Sequence, residues 1–333
     1  MGIERDAAVV LSGIRFGRTL GSPVAFMIEN RDAGNWQGVM DCFGEPTDAE
    51  RVTAPRPGHA DLAGLQRTGA RDIRDILERA SARETAARVA AGAVAKALLG
   101  EMGVHVRSWV EAIGAEGTGR LDPAAVDPAA VDASDVSCAD PNVAARMRAA
   151  IDAARSDGES LGGVFVVCAE GLVPGLGGYA EAVARLDARL GGALLSIPAV
   201  KGVEIGEGFA SAALPGSQVH DEILPGERAP QRATNRAGGI EGGMTNGEAL
   251  VIRAAMKPIP TLMRPLRTVD IITAEVADAA RERSDVCAVP AAAVVAEAEV
   301  ALVLADAYQD LFGSASAGDM RRALDSYRAR IGW

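Results

Sequence analysis

The sequence predicts an α+β fold. Strand-like and helix-like stretches mix without a regular βαβ alternation, a capped helix begins at Ser81, and a long apolar helix begins near Pro290. No composition break divides the 333 residues, so the chain reads as one domain over 1–333.

Val9 to Asn30 reads as two short strands around a turn at Phe16-Gly17-Arg18, and Arg31 to His59, rich in Gly, Asp and Pro, as a long loop. Ser81 and Glu84 have capping-box spacing, and Val89, Ala90, Ala93, Val94, Ala97 and Leu98 follow at helical period until Gly103. His105 to Ile113 alternates as a strand. Residues 114–137 hold the repeat Asp122-Pro123-Ala124-Ala125-Val126, Asp127-Pro128-Ala129-Ala130-Val131 and read as an exposed low-complexity connection.

Pro141 opens a helix to about Ser156, and Gly163 to Gly171 contains the buried-strand pattern Val164-Phe165-Val166-Val167-Cys168. A turn at Gly175–Gly178, a helix over Ala180–Leu190 and a strand over Ala193–Glu204 follow. Gln231–Gly247 is a glycine-rich loop and Val269–Val276 a strand. The helix from Pro290 stops at Gly313, and an amphipathic helix covers Asp319–Arg330.

Bulk properties narrow the function. The net charge of −11 excludes a protein that coats nucleic acid or an anionic membrane, but leaves room for a locally basic pocket. Four cysteines without a C-x-x-C pair and three histidines assemble no Cys/His metal cluster and fit a reducing, cytoplasmic setting. Ala288–Leu304 carries Glu297 and Glu299, which makes it a buried helix rather than a membrane span.

Several stretches have chemical character. In Arg56-Pro57-Gly58-His59-Ala60-Asp61 a Pro-Gly turn would hold an imidazole in place for proton transfer. Arg79, Ser81 and Arg83 surround a helix N-terminus that favours an anion. Gly238-Gly239-Ile240-Glu241-Gly242-Gly243 and Lys257-Pro258-Ile259-Pro260-Thr261 would let backbone approach a flat ligand or phosphate. Arg283-Ser284-Asp285 sets a guanidinium and a carboxylate before the last long helix. Taken singly, these are more often an exposed or structural turn histidine, plain caps and a glycine-rich turn without a ligand.

Their order resembles the chorismate synthase family. The likeness runs through Arg15-Phe16-Gly17-Arg18-Thr19-Leu20-Gly21-Ser22-Pro23, the His59 motif, Ser81-Ala82-Arg83-Glu84-Thr85, Asn235 to Gly243, Lys257 to Thr261, and Arg283 to Ala291. It implies a β-α-β sandwich, usually a homotetramer. It also implies an anti-1,4 elimination of phosphate from 5-enolpyruvylshikimate 3-phosphate to give chorismate, requiring reduced FMN, with NADP as an associated nucleotide. By resemblance, His59 is a proton donor near the flavin and Asp285 relays a proton at its ring. Arg79, Ala80, Ser81, Pro198, Ala199, Gly242, Lys257, Pro258, Ile259, Pro260, Thr261 and Arg283 bind FMN.

There are departures. The family's N-terminal segment contains Gly-Glu-Ser-His-Gly, whose histidine is a second catalytic acid, with arginines for substrate and nicotinamide nucleotide. This chain is expected to lack that segment, and Gly158-Glu159-Ser160-Leu161-Gly162 has no histidine to replace it. Pro198 stands where the family often has an amide residue, and Ala80 where serine is common. The leading expectation is therefore a chorismate synthase. A non-catalytic flavin-binding or assembly subunit is the alternative. A flavin reductase is weaker, since no nicotinamide motif is present.

Overall fold

The structure is a computed structural model and describes residues 6–44, 51–227, 229–282 and 284–333. The chain forms two compact units, each assembled from separated segments. The first comprises Met1–Ala90, Ala153–Ser160 and Ile259–Val286; the second comprises Ala91–Asp152, Leu161–Pro258 and Cys287–Trp333.

In the first unit, β1 (Ala8–Ser12) pairs antiparallel with β2 (Ala25–Ile28), Val9 opposite Met27. The expected turn lies inside this pair, with Phe16 and Gly17 at φ 49° and 74°. Two successive positive φ values suit the twist of a tight hairpin. The helix α1 (Asp61–Thr68) ends on Gly69 at φ 72°. The strand expected over Val269–Val276 is instead a hairpin, Arg267–Val269 against Val276–Asp278. The Asp270 carboxylate accepts from the Ile272 and Thr273 amides at 2.8 and 3.0 Å and turns the chain there.

The helix α2 (Thr85–Glu101) begins after a short 3₁₀ turn at Ala82–Glu84. Ser81 is its cap, but its hydroxyl accepts from the Arg83 amide at 3.3 Å, and Glu84 pairs with Arg88 at 2.8 Å. The capping box is thus half made, because a 3₁₀ start shortens the reach and frees Glu84 for an i,i+4 partner. At the other end Val104 N–H donates to Leu99 O and Gly103 N–H to Gly100 O, a Schellman closure around Gly103 at φ 82°.

The second unit is built on a five-stranded antiparallel sheet. The short strand Glu116–Gly117 lies at one edge, followed by β3 (His105–Ile113), β4 (Gly163–Glu170), β6 (Leu250–Met256) and β5 (Val200–Ile205). Preceding β4 is α3 (Pro141–Asp157), and preceding β5 is α4 (Leu186–Leu195). The helix α5 (Val289–Phe312) packs on β3, β4 and α4, and α6 (Ala317–Ile331) packs on α5. On the central strand, Phe165 and Val167 alternate with Val166 and Cys168, and all four are buried. Covered on both faces, β4 therefore reads as a continuous apolar run.

Three sequence expectations change here. The segment expected as an exposed connection buries Val126, Val131 and Val136, with Val126 and Val131 against Trp109 and Cys168. Asp122 and Asp127 cap its two short helical turns, so each Asp-Pro is a helix start rather than disorder. The helix expected over Ala180–Leu190 is a 3₁₀ turn at Ala182–Ala184 followed by α4, broken by Arg185 in extended conformation. The strand expected from Ala193 begins only at Val200, since α4 runs to Leu195.

Candidate functional site

The first unit gathers Arg56, His59, Asp61 and Thr261. His59 N–H donates to Arg56 O at 3.3 Å across Pro57-Gly58, with Gly58 at φ 79°, the pattern of a type II turn. The next residue but one, Asp61, opens α1 and is fully buried. Its Oδ2 accepts from the Arg56 backbone N–H at 3.0 Å and from Nε at 2.9 Å. Its Oδ1 accepts from the Arg56 guanidinium at 3.1 Å and meets His59 Nδ1 at 2.5 Å. The remaining Arg56 nitrogen donates to Thr261 Oγ1 at 3.0 Å.

Burial pushes the Asp61 carboxyl up, but hydrogen bonds from His59 and Arg56 outweigh it and hold the carboxyl well below the usual carboxylate range. Asp61 is therefore ionised at neutral pH. His59 keeps 18% of its side chain exposed, against 0% for Asp61.

The other expected residues of this unit are more open. Arg79 and Asp285 are exposed, while Ala80 and Ser81 are half-buried. The Ser284 hydroxyl donates to the Asp285 carbonyl at 3.0 Å. Arg283 lies outside the described residues. Ser160 is buried and donates to the Ile259 carbonyl at 2.6 Å, which braces the chain at Ile259.

In the second unit, Ala199 holds φ 69°, unusual for a residue with a Cβ, and its carbonyl accepts from Lys257 N–H at 2.9 Å. This ties Pro198-Ala199 to Lys257-Pro258 at the exit of β6. Burial, and then the neighbouring Lys201 charge, lower the Lys257 pKa. Such a desolvated ammonium gains from an anionic partner. Gly242 sits at φ 60° with open space where a side chain would project, whereas neighbouring Gly243 is closed in by Gly178 O at 2.7 Å from an added Cβ.

Asp221 and Asn235 hold this glycine loop. Asp221 accepts from the Arg236 and Ala237 amides, each at 2.9 Å, and from the Thr234 hydroxyl. Asn235 accepts from Gly239 N–H at 2.8 Å and donates to Ala249 O at 2.7 Å. Asn235 belongs to the recognised motif. Asp221 lies in an irregular stretch where nothing in the sequence announces its partners.

The family model described as Chorismate synthase matches residues 1–309. The chain belongs to the chorismate synthase family. The chorismate synthase of Rubrobacter xylanophilus is 56% identical over 99% of this chain and 85% of its own length. That of Moorella thermoacetica is 55% identical over 98% of this chain and 86% of its own. A solved structure, "Crystal Structure of Chorismate Synthase", superposes with TM-score 0.79 at 39% identity over 98% of this chain and 85% of that one. The α+β fold follows from the same match. As a member of the chorismate synthase family, the chain is an enzyme, a lyase of aromatic amino-acid biosynthesis acting on a phosphate-bearing substrate. Nothing in these comparisons favours a non-catalytic subunit. Among the described residues no helix is long and apolar enough to cross a membrane, and no group of His, Cys, Asp and Glu is placed to hold a metal.

Proposed function

We propose that the chain eliminates phosphate from 5-enolpyruvylshikimate 3-phosphate to give chorismate, with reduced FMN bound. The observation that carries this reading is the His59 imidazole, partly exposed above a buried, ionised carboxylate in a chain of this family. The family match crosses both units, which supports treating 1–333 as one catalytic domain.

The residues present suit a flavin mononucleotide. Its phosphate is a dianion; within the first unit Arg79 and the helix start at Ser81, and within the second unit Lys257, each offer groups that suit such a charge. Gly242 has room for a ligand against its backbone, and Ala80, Pro198, Ala199, Pro258, Ile259, Pro260 and Thr261 are proposed as its further contacts, with Arg283 from outside the described residues. When bound, reduced flavin lends electron density to the substrate transiently while phosphate departs, with no net redox change. With the flavin bound, His59 would be the residue that holds and delivers a proton beside it, and the Asp285 carboxylate would be the one that relays a proton there. We further propose a cytoplasmic homotetramer, with NADP as the associated nucleotide.

The test is chorismate release with reduced FMN. His59→Ala should lower turnover about 10²–10⁴-fold, the usual contribution of a positioned acid, with the circular dichroism spectrum unchanged. Turnover close to the parent's would remove His59 from the reaction.

A further inference from the structure

We infer that Asp61 is the positioning residue of the His59 acid: it fixes the imidazole as the Nδ1–H tautomer and so reserves Nε2 for proton exchange. The inference deepens the proposed function and rests on it for the role of His59.

Three observations carry it. Asp61 Oδ1 lies 2.5 Å from His59 Nδ1, so one of the two atoms must carry the shared proton. An ionised carboxylate accepts only, and Asp61 is kept ionised by Arg56, which donates to both of its oxygens. A neutral His59 therefore bears its proton on Nδ1. The Arg56 Nη2 that lies 3.1 Å from Nδ1 is also 3.5 Å from Nε2; guanidinium only donates, so with hydrogen on Nδ1 the ring nitrogen it can donate to is Nε2. Arg56 and Asp61 are the charged partners that face His59 among the described residues. Arg56 is itself buried and anchored on Thr261, so the carboxylate is held in place on both oxygens. The partly exposed ring is thus oriented from beneath by a group that never meets solvent.

The isosteric Asp61→Asn gives a sharp test. The Oδ2 position faces two Arg56 donors and the Oδ1 position only one, so the amide oxygen settles at Oδ2. The amide NH₂ then faces His59 Nδ1, which must accept, and the proton moves to Nε2. Selective 15N-histidine labelling reads this directly, because the chain has only three histidines, His59, His105 and His220, and His59→Gln assigns the signal. The measurement is made at a pH where the His59 ring is neutral.

We expect Nδ1–H in the parent protein, Nε2–H in Asp61→Asn, and a turnover loss of about 10²-fold or more in the variant, with KM for the phosphorylated substrate changed much less. An Nε2–H tautomer in the parent overturns the inference without recourse to any variant, which covers the case of a variant that does not fold. An unchanged tautomer or an undiminished turnover in a folded Asp61→Asn also overturns it. Absence of chorismate formation by the parent protein would instead count against the proposed function, and the parent's tautomer would still be legible on its own.

Discussion

At the residue scale the candidate chemistry depends on pairs that a linear reading does not display. The sequence marks His59 through its Pro-Gly turn, yet whether Asp61 faces solvent or the imidazole depends on α1 beginning at that residue. Arg56 is similar: its position in the motif is visible, but its engagement with Thr261 closes a separation of 205 residues. Lys257 was legible as a cation in a flavin-like motif, while its desolvation beside Lys201 was not. A lysine whose charge is disfavoured by burial and by Lys201 should respond strongly to a dianion. Lys257→Ala should weaken FMN binding about tenfold or more in a fluorescence titration, the scale of one charge-assisted contact of about 1.5–3 kcal/mol. An unchanged dissociation constant would rule it out as a phosphate ligand.

At the scale of elements, small residues set the packing. Aromatic residues make up only 4% of the chain, and in the core of the second unit close approach between small residues adds to the few buried aromatics, Trp109, Phe165 and Tyr308. A Cβ added at Gly92 on α2 would lie 2.3 Å from the Ala298 Cβ on α5. Gly92→Ala gains about 1 kcal/mol of intrinsic helix propensity, but overpacking at a tight crossing costs about 1–3 kcal/mol. The helix backbones are stiff here, so the net effect in urea unfolding should be destabilisation, seen as a lower midpoint. A raised midpoint would show that the two helices can separate without cost.

At the scale of the whole molecule, the first unit leaves apolar surface uncovered. Every residue of β1 is exposed, and Phe16 is 89% exposed at the tip of its hairpin. A lone two-stranded hairpin is marginally stable in water, and exposed apolar patches commonly mark association surfaces. These features support the proposed homotetramer. Sedimentation velocity at micromolar protein should show a stable oligomer. Leu11→Lys, at a position 59% exposed, should shift it toward smaller species if this hairpin takes part in association. A monomer in the parent protein would contradict the assembly.

Sequence alone determined the elements whose cause is local. The Schellman stop at Gly103 and the helix from Pro290 to Gly313 follow from glycine conformation and apolar content within one segment, and β3 lies where the sequence expects a strand, although Trp109, Val110 and Glu111 are buried in succession at a register shift. It also determined the family, because the motifs follow one another in a recognisable order. Tertiary structure decided what depends on distant partners. The Asp-Pro repeat became a cover over Trp109 because valines at its spacing find an apolar face there. The stretch from Val269 became a hairpin where Asp270, which captures two local amides and halts the strand, is itself held by the Thr53 hydroxyl 217 residues away. Two units arose where no boundary was visible, because each unit draws on three separated segments and composition along the chain cannot mark such a division. Asp61 became a buried partner of His59 because Thr261, 205 residues away, anchors the Arg56 that stabilises its charge, and a charge enters a protein interior only with such a partner.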